Sequence, residues 1–128
     1  MKQELEKQLI IKYPTIFKQT SLPPEQSCMF FGLECGDGWY GILDFLCKRL
    51  TQMDKENSCC ATQVKEKFGG LRFYVSNATE EQWSLIQEIE LLSYYICEKC
   101  GMSIGVKQTE RWISSLCEKC MKEHNANL

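Results

Sequence analysis

The chain has one histidine, His124, and it lies four residues from the C-terminal end. A Ser-His-Asp or Cys-His catalytic set therefore has almost nothing to draw on. Neither GxxxxGK[ST] nor GxGxxG occurs, so no glycine-rich loop cradles a nucleotide phosphate. No run approaches the roughly 18 apolar residues of a membrane span, and none is expected in a membrane. Charge of one sign is also missing. Fifteen basic residues against seventeen acidic ones leave a net charge of -2, too balanced for a generic polyanion binder. The opening segment, MKQELEKQLIIKYP, is charged throughout and has no apolar stretch of a secretory signal, so the expected location is cytoplasmic. With 44% hydrophobic residues, the 128-residue chain has enough apolar side chains for a core.

Cysteine is abundant, with nine residues. Four of them form two CxxC pairs, Cys97-Glu98-Lys99-Cys100 and Cys117-Glu118-Lys119-Cys120, separated by sixteen residues. This matches the C-x2-C-x15–20-C-x2-C pattern of zinc sites. A CxxC turn presents two sulfurs at a separation suited to two corners of a tetrahedron. One Zn²⁺ is expected on Cys97, Cys100, Cys117 and Cys120. Four thiolates leave no open position, so its expected role is structural. A thioredoxin-like redox pair, two disulfides or an iron–sulfur cluster fit less well: the motif is duplicated, the compartment is reducing, and iron–sulfur spacings are tighter. His124 is an alternative to Cys120 as a ligand, but its spacing is poorer. Cys28, Cys35, Cys59 and Cys60 lack ligand spacing, and a second site from them would depend on the fold. Cys47 falls on an apolar helical stripe and reads as core.

Apolar periodicity divides the chain into an α+β pattern, a small β-hairpin or sheet packed by amphipathic helices. Lys2 to Tyr13 predicts a helix, and Pro23-Pro24 marks a loop. Cys28 to Phe31 predicts a short strand or an apolar loop. Asp37, between two glycines, is the expected N-cap of a helix whose stripe is Trp39, Ile42, Leu43, Leu46, Cys47, Leu50 and Met53. Residues 60 to 76 predict a β-hairpin turning at Gly69-Gly70, with a lysine-rich first strand that reads as solvated or as an edge and with Phe68, Leu71 and Phe73 in the core. Thr79 to Gln82 reads as a capping box, opening a helix with Leu85, Ile89, Leu92 and Ile96 inward. Residues 1–95 are expected to form the α+β core and 96–128 the Cys₄ module. Between the knuckles there is room for a hairpin, and residues 121–126 can form one or two helical turns. That order is a treble clef; a second knuckle on another hairpin would make a zinc ribbon.

Cys35-Gly36-Asp37-Gly38-Trp39, the run from Val64 through Phe68-Gly69-Gly70-Leu71-Arg72-Phe73 to Tyr74, and the two knuckles resemble a group of small bacterial and phage proteins. The resemblance spans about residues 28 to 120 and implies a mobile-element or accessory setting, without a mechanism. The leading expectation is a non-enzymatic, zinc-stabilised protein-interaction module that modulates a host protein. The alternative is nucleic-acid binding through the hairpin and zinc module. Its basic candidates are Lys65, Lys67, Arg72, Lys107 and Arg111, and its stacking candidates are Phe73, Tyr74 and Trp112. A small enzyme using carboxylates near Asp37, or a reactive Cys59-Cys60 pair, is a third reading. Glu34, Asp37 and Asp44 would serve it only if they gathered at one loop.

Overall fold

A computed structural model describes residues 1–127; Leu128, the last residue of the expected module, lies outside them. The architecture is α+β. Helix α1 (Gln3–Lys12) leads through short 3₁₀ turns to β1 (Leu33–Glu34), α2 (Tyr40–Met53), β2 (Cys60–Lys67), β3 (Gly70–Ser76) and α3 (Glu80–Ser93). The C-terminal third adds β4 (Lys107–Gln108), β5 (Ser115–Leu116) and α4 (Glu118–Ala126).

α2 has the apolar spacing of a core helix. Leu43, Leu46, Cys47 and Leu50 are buried against β2, β3 and α3 in one cluster with Trp39, Val64, Leu71, Phe73 and Ile86. Each buried leucine contributes about 1.5–3 kcal/mol relative to exposure. Tyr13, just past α1, ties that helix to α2 by donating its hydroxyl to the Asp44 carboxylate at 2.7 Å. That bond first, and Lys12 at 3.3 Å second, hold the Asp44 carboxyl below its ordinary range. A depressed carboxylate contributes stability above its unfolded pKa, about 3.9, and loses it as pH falls through the lower folded value. Acid titration of unfolding will therefore show a steeper loss of stability below about pH 4 in the wild type than in Asp44→Asn.

The sheet order is β1-β2-β3, with β1 parallel to β2 and β2 antiparallel to β3. β2 is thus the central strand, not the expected edge. Its partner β1 is only two residues long, too short to show a period. Lys65 stands opposite Arg72 across the ladder, while Val64 pairs with Phe73 on the core side. Both outer edges are blunted by side chains. On β1, the Leu33 N–H donates to the Glu6 carboxylate, and the Met1 amine donates to the Leu33 and Cys35 carbonyls. On β3, the Leu71 N–H donates to Ser93 Oγ at 2.8 Å and the Phe73 N–H to Glu90 Oε2 at 2.8 Å.

Four local expectations are corrected. Cys28–Phe31 is a 3₁₀ turn capped by Ser27, not a strand. Asp37 does not cap α2; its Oδ1 accepts the Lys2 N–H at 2.7 Å, at the start of α1. Phe68 is not core but sits on the hairpin turn, 64% exposed, with φ of 53°. The inward face of α3 is Gln82, Ile86, Ile89 and Ser93, leaving Leu85 half-buried and Leu92 exposed. Two polar residues turn that helix. Gln82 donates its amide to the Leu50 carbonyl at 3.3 Å while closing the predicted capping box with Thr79, and Ser93 serves β3. Hydrophobicity alone ranks those two positions as outward.

Candidate metal centre

Cys97 follows α3 after the three-residue turn Tyr94-Tyr95-Ile96, where Trp39 holds the chain: its buried indole N–H donates to the Ile96 carbonyl at 3.0 Å. The first knuckle closes with the Gly101 N–H on the Cys97 carbonyl at 2.9 Å and the Cys97 N–H on the Met102 carbonyl at 2.8 Å. Gly101 has φ of 86°, a left-handed conformation that suits glycine. Strands β4 and β5 then pair antiparallel. Cys117 is the N-cap residue of α4 and Cys120 lies in its first turn. Knuckle, hairpin and helix follow in treble-clef order, and the second ligand pair rides on a helix rather than on another hairpin.

The four sulfurs lie within 4.8 Å of one another, and Cys100 Sγ is 3.7 Å from Cys117 Sγ. A disulfide would bring two of them to about 2.05 Å. A tetrahedral ion with metal–sulfur bonds of about 2.3 Å sets sulfurs about 3.8 Å apart, so the donor set has the dimensions of a one-ion site. All nine cysteines are free of disulfides. Burial pushes the Cys97 thiol up, but the amides of Cys117, Cys100 and Lys99 outweigh it and hold the thiol at about 7. Cys120 is driven the other way by burial and by its three neighbouring thiols. Four sulfurs this close cannot all ionise without a cation between them. The helix N-terminus under Cys117 and Cys120 adds a favourable field for thiolates. The geometry and chemistry of the donors fit a bound metal ion.

No family model matches the chain, and neither a curated protein nor a solved structure matches it.

The knuckle is locked to the α+β core through glycines. The Gly38 N–H donates to the Glu98 carbonyl at 2.7 Å, and the Gly36 N–H to the Glu98 carboxylate at 3.0 Å. A Cβ on Gly38 would lie 2.1 Å from the Cys97 carbonyl oxygen. The other side of the module meets the hairpin turn. Ser115 Oγ donates to the Gly69 carbonyl at 2.6 Å, while next to it a Cβ on Gly70 would strike the ring of Tyr94, at the end of α3, at 2.3 Å. Gly36, Gly38 and Gly69, from the two glycine-bearing runs noted in the sequence, are thus the seats on which the C-terminal module docks. Their signal was present, as Gly-x-Gly and Gly-Gly, but it read as turns. Glu98, inside the first CxxC, was not foreseen as a docking residue.

Among the described residues, the four knuckle cysteines are the only group of three or more Cys, His, Asp or Glu close enough to share an ion. Cys28 is exposed, Cys35 is buried near the N-terminus, and Cys60 Sγ contacts Ser76 Oγ at 3.1 Å, so these do not form a second site. Asp37 serves Lys2 and Asp44 serves Tyr13, so the acidic residues do not gather. His124 lies beyond the ligand pair on α4.

The predicted contact residues separate into two groups. Lys65, Lys67, Arg111 and Trp112 converge with Glu66, Phe68 and Ile113 around one groove of about 240 Å³. Arg72, Tyr74 and Lys107 stand elsewhere. Arg72 donates to the Tyr94 hydroxyl at 3.1 Å, Tyr74 faces Gln63 on the open side of the sheet, and Lys107 pairs with Leu116. Among the described residues, no helix is long and apolar enough to cross a membrane.

Proposed function

We propose that the protein is a non-enzymatic interaction module whose C-terminal third is stapled by one structural zinc ion. The observation that carries this reading is a four-sulfur shell closed by protein donors, with aromatic side chains held out on turns anchored to it. Zinc suits four thiolates at these distances, and a closed shell offers no position for a substrate or an activated water. The carboxylates beside it, Asp37 and Glu98, already accept backbone N–H groups, so they make no free acid–base pair. Trp112 is 83% exposed, and aromatic and arginine side chains dominate partner interfaces. The resemblance to phage and bacterial accessory proteins suits a host protein as partner, in a reducing compartment that keeps thiols free.

Elemental analysis will find one zinc per chain. Pull-down from nuclease-treated host lysate will retain one stoichiometric protein. Two metals per chain, visible iron absorption, or turnover of a small molecule would overturn the reading.

A second reading is single-stranded nucleic acid, favoured by the convergence of Lys65, Lys67, Arg111 and Trp112. It requires oligothymidylate binding that weakens steeply with salt. The net charge of -2 weighs against it.

A further inference from the structure

We infer that the groove between the β2–β3 turn and the 109–114 loop is where this protein takes its partner, and that the bound segment is acidic with an apolar side chain at its centre. This rests on the reading of the protein as an interaction module.

Three cations, Lys65, Lys67 and Arg111, line the groove. Its one lining carboxylate, Glu66, accepts the Gly69 N–H at 3.1 Å within the turn. The walls are aromatic: Phe68 on one side, with the Lys67 ammonium 5.7 Å from its ring centroid, and Trp112 on the other. A chain that is acidic overall thus gathers positive charge around an apolar floor, which complements an acidic partner.

The backbone points to the same place. Among the described residues, four non-glycine residues have positive φ, and two of them, Asn57 and Asn77, are of the type that tolerates it. The other two, Phe68 at 53° and Arg111 at 61°, line this groove. Glycine would suit either position better, and an exposed phenyl ring gains nothing from burial. Fold stability therefore does not account for Phe68, and strained residues of this kind cluster at binding sites.

Both walls are also held in place. Thr109 is buried and closes its loop by donating to the Trp112 carbonyl at 2.7 Å and accepting the Ser114 N–H at 2.8 Å. The Ser115–Gly69 bond ties this loop to the hairpin. Aromatic anchors presented on fixed loops lose little freedom on binding.

The size of the groove selects the occupant. About 240 Å³ takes one or two side chains. Three clustered cations on a chain of net charge -2 do not make the continuous positive track a nucleic-acid strand requires.

The test is selection from a displayed random peptide library on the zinc-loaded full-length protein, with oligothymidylate binding measured in parallel. Enriched peptides will carry Asp and Glu around Leu, Ile, Phe or Trp. Their affinity will fall at least about ten-fold in Phe68→Gly and in the double variant Lys67→Glu/Arg111→Glu. Phe68→Gly will melt at or above the wild-type temperature, which separates lost binding from lost folding. The inference is overturned by peptides without acidic character, by equal binding to the variants, or by oligothymidylate binding more tightly than the selected peptides through the same residues. If the lysate partner is captured equally by wild type and groove variants, the groove assignment fails while the interaction reading stands. If neither library nor lysate yields a protein ligand, both fail.

Discussion

Stripping the metal with a chelator under reducing conditions will unfold residues 97–127 while the α+β core stays folded. The second apolar cluster consists of Cys97, Leu116, Cys117 and Cys120, with Val106 and Met121 partly buried beside it. Its cysteines are the candidate metal ligands, so Leu116 is the one other buried side chain in that cluster. Burial of that kind supplies about 1.5–3 kcal/mol per side chain, whereas a structural zinc site supplies on the order of 10 kcal/mol. Chain entropy of roughly 1–2 kcal/mol per ordered residue exceeds the burial contribution in this segment. Hydrogen exchange will show it: the Cys97, Glu98, Gly101 and Thr109 amides, bonded within the module, lose protection on metal removal. The Gly38 amide loses protection with them, because its acceptor is the Glu98 carbonyl. The β2–β3 ladder and the α2 amides around Leu43 and Leu46 keep theirs. Cys100→Ser will reproduce the apo pattern without a chelator. An unchanged exchange profile in either experiment would mean that packing alone holds the module.

Gly38→Val will lower the melting temperature by about 10 °C or more, while Gly41→Ala, three residues on, will raise it slightly. The Gly38 Cβ position lies 2.1 Å from the Cys97 carbonyl oxygen and 2.6 Å from the Gly101 nitrogen. Both are backbone atoms of the hydrogen-bonded knuckle that carries Cys97 and Cys100, so neither can give way as a flexible side chain would. The module must lift off instead. That breaks the Gly38–Glu98 bond and strains the Trp39–Ile96 bond, each worth about 1 kcal/mol, on top of an overpacking cost of about 1–3 kcal/mol. A total near 3 kcal/mol corresponds to a shift of about 10 °C for a chain of this size. Gly41 is exposed in α2 with nothing near its Cβ position, so alanine there gains roughly 0.5–1 kcal/mol of helix propensity. Thermal unfolding followed by circular dichroism measures both. Equal, small effects at the two glycines would show that the Gly38 contact does not hold the module.

Period and spacing alone determined a good part of this protein. The CxxC pairs placed four sulfurs in two rigid turns. The stripe from Trp39 to Leu50 made α2, Gly69-Gly70 made the hairpin, and Thr79 with Gln82 opened α3 through a capping box. Each is a local signal, complete within a dozen residues or so. Tertiary structure decided what had no local signal. The two-residue β1 made β2 a central strand. Gln82 and Ser93 were turned inward because the Leu50 carbonyl and the Leu71 amide, distant in the chain, needed partners. Gly36, Gly38, Gly69 and Gly70 read as turns, yet their constraint is the approach of distant atoms, the Cys97–Gly101 backbone at Gly36 and Gly38 and the side chains of Ile113, Ser115 and Tyr94 at Gly69 and Gly70, which no spacing encodes. Phe68 read as core from its alternation with Val64. Docking of the 109–114 loop instead placed it beside Arg111 and Trp112 on a shared groove, because a turn residue with positive φ cannot follow the pleat of the strand before it.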